Sequence, residues 1–100
     1  MESETYIFDK IKKIRDDDIE LKDKLNQVAG LLNEKWNISI CFCQIIGNKR
    51  WSFFAGLEVL FAGLKEKIND HWGFMLSNLR DENKKSWNEI KNLIVSFDFS

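Results

Sequence analysis

Four groups of side chains are of types that could do chemistry: His71 beside Asp70, the pair Cys41 and Cys43, the acidic run Asp16-Asp17-Asp18, and the turn Gly47-Asn48-Lys49-Arg50. His71 is the sole histidine, and a neighbouring carboxylate could orient an imidazole as a general base. On a helix, however, adjacent residues point about 100° apart, which places Asp70 badly for that role. No nucleophile or second acid stands at a recognisable spacing from His71, and catalysis needs that mutual geometry. A structural histidine is the better account.

Cys41 and Cys43 could ligate a metal with His71 as a third donor. Strong zinc signatures carry two paired motifs, whereas this chain has one Cys-x-Cys and one histidine. On a strand the two thiols would share a face, too widely spaced for an easy disulfide, and would pack as small hydrophobes. They also lack the helix N-terminus that lowers a thiol pKa in redox motifs. Lys49 and Arg50 follow a glycine without phosphate-loop spacing, and Asp16–Asp18 lack the order of a calcium loop. These residues predict no catalytic centre, no cofactor and no metal.

Composition narrows the partners. The net charge is −1, with nine acids against seven bases in residues 1–36 and seven against eight in residues 37–100. Neither part holds the basic excess that nucleic-acid binding or an anionic membrane surface demands. The longest uncharged stretch, Asn37–Asn48, is too short to span a bilayer, and the first ten residues include Glu2, Glu4 and Asp9, unlike a signal peptide. A cytoplasmic location is expected. One hundred residues with four Trp and eight Phe suffice for one domain and one core without a staple.

The elements that must position these groups follow from periodicity. Ile7, Ile11, Ile14, Leu21, Leu25, Val28 and Leu32 advance by alternating fours and threes, or a multiple of them, predicting a helix over 4–35. Asp18 interrupts the apolar seam. Asp17 as N-cap with Glu20 as its capping-box partner would restart the helix after a break near 16–18, the two pieces staying close to collinear. From Ile38 the period becomes two: Ile38, Ile40, Phe42 and Ile46 on one face, Cys41, Cys43 and Ile45 on the other, then Trp51, Phe53 and Ala55 beyond the turn, a β-hairpin over 38–55. Leu57, Phe61, Leu64, Ile68, Trp72, Met75 and Leu79 then predict a helix over 57–70 whose face continues to 79, in competition with a short strand over 72–77. Ser86 and Glu89 open a helix over 86–93, and alternating Val95, Phe97 and Phe99 suggest a C-terminal strand over 94–99. The fold class is α+β: a long N-terminal helix, an antiparallel hairpin and two further helices packed on the sheet.

Two surfaces carry interaction content. An unbroken N-terminal helix would span about 45 Å, beyond a body whose radius of gyration should be about 13 Å. Its seam residues Ile7, Ile11 and Ile14, with Asp18 setting register, would then meet a second copy or a partner's helix. The second surface is aromatic, since Trp51, Phe53, Trp72 and Phe74 exceed what one inward face needs. Phe53 and Phe54, adjacent on a strand, should face opposite sides. The first expectation for function is a non-catalytic protein-binding or regulatory module of the inhibitor, immunity, adaptor or assembly type, with a protein partner or a homodimer and no nucleic acid or membrane. The order of a helix ending in Leu31-Leu32-Asn33-Glu34-Lys35-Trp36, a hairpin and Gly56 resembles the opening of GAF-type domains. That resemblance implies the second expectation, a small-molecule sensor with an aromatic-lined pocket. An enzyme using Cys41, Cys43 and His71 is the third.

Overall fold

The structure, a computed structural model, describes residues 4–47, 49–61 and 63–99. Its elements run α1 (Glu4–Asp16), α2 (Leu21–Trp36), β1 (Ser39–Ile46), β2 (Arg50–Gly56), β3 (Leu64–Lys67), β4 (Trp72–Ser77) and, after a single 3-10 turn at Asp81–Asn83, α3 (Lys84–Val95). The fold is α+β, with three helices and a four-stranded antiparallel sheet in the order β2-β1-β4-β3.

The N-terminal helix breaks at the acidic run. Carboxylates are disfavoured at a helix C-terminus, and the orphan carbonyl of Arg15 accepts a hydrogen bond from Lys24 Nζ at 2.5 Å instead of continuing the helix. Asp17 does not cap α2: its Oδ1 accepts the Asp18 N–H at 2.9 Å, and Glu20 holds the N-cap position with no side-chain cap. Nor are the two helices collinear. Lys35 Nζ near the end of α2 stands 5.4 Å from the ring centroid of Tyr6 near the start of α1, so α1 and α2 run antiparallel as a helical hairpin. In place of one long helix stand two of 13 and 16 residues, and the radius of gyration is 12.8 Å.

α2 ends at Asn37, whose φ of 56° lets its N–H reach the Asn33 carbonyl and turns the chain into β1. The β1–β2 hairpin forms, but an extra residue in β2 opposite Phe42/Cys43 breaks the expected alternation of Trp51, Phe53 and Ala55: Ala55 pairs with Phe42 on the core face, while Trp51 and Phe53 stay on the other. Of its turn residues, Asn48 lies outside the described residues.

The expected helix over 57–70 is absent. Gly56 takes φ 99° with the Leu57 N–H on the Ile40 carbonyl, and residues 57–61 run irregularly to the edge strand β3. That crossover passes the ends of β1 and β4, about 14 Å at the usual strand spacing. Residues 64–68 alternate between half-buried Leu64, Glu66 and Ile68 and exposed Lys65 and Lys67, a strand rhythm that the helical spacing of 57, 61, 64, 68 and 72 conceals. The competing strand over 72–77 is β4.

The last segment departs as well. α3 begins at Lys84, so Ser86 is a buried residue inside the helix and not its cap. No strand forms over 94–99. The helix persists to Val95, the Phe97 N–H bonds to the Ile94 carbonyl, and Phe97 and Phe99 are buried, Phe99 against Trp72 at 5.4 Å between centroids. One helix, α3, and not two, follows the hairpin.

The three helices bury their apolar residues in one cluster with one face of the sheet: Ile40, Phe42, Ala55, Trp72, Phe74 and Leu76. Phe74 meets Trp87 edge-on at 5.6 Å and Trp72 meets Phe54 at 4.8 Å. Cys41, Cys43 and Ile45 are also buried, but alternation places them on the opposite face.

Candidate functional site, the second face of the sheet

Strand pairing assigns the second face residue by residue, because directly opposed side chains project to the same side. One row joins Phe53, Cys43, Gly73 and Lys67; the next joins Gly56, Cys41, Met75 and Lys65; Trp51 stands opposite Ile45. No side chain of the three helices' buried cluster lies on this face. Its cover is Trp51, whose indole reaches from β2 across β1 to Gly73 on β4 and carries Lys65 Nζ 4.5 Å from its ring centroid. Cation–π contact of this kind is worth about 0.5–1 kcal/mol at an exposed site. A Cβ on Gly73 would occupy the same space as the indole, so the lid depends on glycine there.

Under that lid Cys41 Sγ and Cys43 Sγ are 3.9 Å apart, both thiols free. Burial pushes Cys43 up to about 12, with the neighbouring Cys41 adding to the shift and Lys65 opposing it. Burial also raises Cys41. Both shifts favour the protonated thiol, whereas nucleophilic attack needs the thiolate. His71 is exposed in the β3–β4 turn, its backbone N–H on Asn69 Oδ1 at 2.8 Å. Among the described residues no cluster of three or more His, Cys, Asp or Glu could hold a metal ion.

The structure separates the residues that sequence reasoning grouped as partner-binding. Ile7, Ile11 and Ile14 are 3%, 0% and 9% exposed, packed within the chain's own core. Trp72 and Phe74 lie in that core too. Asp18 is exposed in the bend between α1 and α2. Trp51 and Phe53 are the two that share a surface: Trp51 is half-buried and Phe53 is 57% exposed, while Phe54 turns to the core as expected.

Sequence reasoning missed the rest of this surface. Leu60 and Phe61, 77% and 86% exposed, and Leu57 line the crossover that leaves β2; a helical reading had placed Leu57 and Phe61 on an inward face and left Leu60 out. The strands add Lys65 and Lys67 to the second face and no acid. The signal that could have found them was the glycine bracket Gly56 and Gly63 around a segment with no capping residue at its start.

Hollows elsewhere are shallow. One of about 330 Å3 between the β3–β4 hairpin and the start of α3 is lined by Gly63, Leu64, Leu76 and Lys84 among others, none of them aromatic. No helix of the described residues is long and apolar enough to cross a membrane. No family model matches the chain, and neither a curated protein nor a solved structure matches it.

Proposed function

We propose that the chain is a non-catalytic protein-binding module of the inhibitor, immunity, adaptor or assembly type, working in the cytoplasm. Its docking surface is the second face of the sheet together with the crossover. The observation that carries this reading is the one-sided sheet: every helix packs on one face, while the other exposes Phe53, and Leu57, Leu60 and Phe61 are exposed on the crossover that follows β2. Isolated exposed apolar residues are ordinary, but several gathered on neighbouring segments beside a half-buried Trp have the composition of an interface centre. Lys65 and Lys67, unaccompanied by acids on the strands of that face, favour a partner segment with apolar anchors flanked by carboxylates. The sensor reading draws less support, because the hollows of about 290 to 360 Å3 carry at most one aromatic each, Phe8 in one and Trp87 in another.

The test is affinity capture from the native host, comparing wild type with Phe53→Ser and Phe61→Ser. Both positions are exposed, so the variants should melt like wild type. A protein retained by wild type and lost by both variants supports the surface. Proteins retained equally by all three baits remove it.

A further inference from the structure

β2 presents unpaired backbone groups as well as aromatic side chains. The Ile45 N–H bonds to the His71 carbonyl at 2.8 Å, so the main-chain groups of Ile45 point towards β4. Its β2 neighbour Trp51 therefore occupies a non-hydrogen-bonded position and directs its N–H and C=O away from β1, to the free edge of the sheet. Two residues on, the same holds for Phe53, opposite Cys43. The next outward amide, Gly56, is already satisfied by Asn26 Oδ1 of α2 at 2.8 Å. The extra residue of β2 separates that closed end from the Trp51–Phe53 stretch.

The two edges of the sheet are not equivalent. β3 has four residues, of which Lys65 and Lys67 are exposed, a composition that repels strand addition. β2 has seven, and from Trp51 to Gly56 it carries no charge. We propose that β2 pairs antiparallel with β2 of a second copy of this chain, about a two-fold axis through Ser52, each Trp51 facing the Phe53 of the other copy.

The register is self-consistent. Trp51 and Phe53 are the outward-facing residues, so each cross-chain pair exchanges two backbone hydrogen bonds. Both side chains project on the second face, but the Trp51 indole leans inward over β1 to Gly73, so the backbone hydrogen bonds carry the contact rather than an aromatic pair. Arg50 falls opposite Phe54, so no like charges are opposed, and an isologous contact of this kind closes at two copies. Centring on Phe53 would instead set Trp51 against the inward-bonded Ala55, losing those hydrogen bonds. The pairing does not rest on the docking role proposed above; it joins two second faces into one longer surface.

At the two-fold, Ser52 faces its own copy in a non-hydrogen-bonded pair, where Cα atoms are about 4.5 Å apart, within disulfide range. Ser52→Cys should therefore oxidise to a disulfide-linked dimer in native buffer, roughly tenfold faster or more than Lys67→Cys on the opposite edge. Light scattering should show the wild-type mass doubling with concentration. Phe53→Pro removes an N–H that points to the free edge and has no partner among the described residues, so it should hold the protein monomeric with unchanged circular dichroism. A wild-type mass that stays monomeric up to about 1 mM overturns the proposal, as does Ser52→Cys crosslinking no faster than Lys67→Cys. If Phe53→Pro does not fold, those two measurements still decide.

Discussion

The indole of Trp51 occupies the space that a Cβ on Gly73 would need, and it thereby roofs Cys43, the residue paired with Gly73 across β1 and β4. Gly73→Ala must displace the indole or the strand, because the Glu66 carbonyl also lies 2.9 Å from the Cβ position. The expected result is a folded protein in which Cys43 reacts with a thiol reagent several-fold faster than in wild type, read by absorbance at neutral pH. Unchanged reactivity would mean that Trp51 is not the cover.

The same thiol makes stability depend on alkaline pH. An unfolded cysteine titrates near 8.5, whereas burial holds Cys43 up to about 12. Between those values the unfolded chain gives up the proton while the folded chain keeps it. The site's contribution is full below about pH 8.5 and is lost as pH rises towards the folded value. Unfolding free energies from urea titrations across that window should fall less steeply for Cys43→Ala, by up to about 1.4 kcal/mol per pH unit.

Gly56 and Gly47 both have positive φ but should differ in tolerance. At Gly56, with φ 99°, a Cβ would lie 2.6 Å from the Ile40 carbonyl oxygen; at Gly47, with φ 62°, nothing lies within 4 Å. Gly56→Ala should destabilise by about 1–3 kcal/mol. Gly47→Asn, which tolerates the left-handed region, should stay within about 1 kcal/mol of wild type. Chemical denaturation of the two variants measures the difference.

Ile11 distinguishes a core helix from a dimer seam. It is fully buried within the chain, so Ile11→Ala should cost about 2–5 kcal/mol, and that loss should not vary with protein concentration. A loss that grows on dilution would place α1 at a contact between copies.

Much of the frame was legible because it rests on local rules. The β1–β2 hairpin follows from alternation over Ile38–Ile46, and the helix break was legible in three adjacent aspartates, though read as the capped start of a second helix and not as the end of the first. The antiparallel return of α1 was hidden, since the direction after a bend is set by tertiary contacts such as Tyr6 with Lys35. β3 was misread and β4 left in competition with a helix because Leu57, Phe61, Leu64, Ile68 and Trp72 satisfy a helical period while residues 64–68 also alternate. Long-range pairing of Phe74 with Phe42 resolves that ambiguity, and no local window contains it. Phe97 and Phe99 imitated a strand because a turn, like a strand, can send alternate side chains inward. At the candidate site, Trp51 and Phe53 could be read from their own alternation. The role of Gly73 could not, since it exists only once β2, β1 and β4 are in register.

The strand order has a kinetic consequence. Each hairpin, β1–β2 and β3–β4, closes over a short local loop, and such hairpins form in about 1–10 μs. The central pair is different. Setting Phe42 opposite Phe74 closes a loop of roughly 30 residues, an entropic charge on the order of 3 kcal/mol that falls due before α3 can seal Trp87 over Phe74. The rate-limiting encounter is therefore the docking of two preformed hairpins along β1 and β4. Substitutions at Phe42 or Phe74 should slow folding itself, whereas those at Ile7 on α1 should chiefly hasten unfolding.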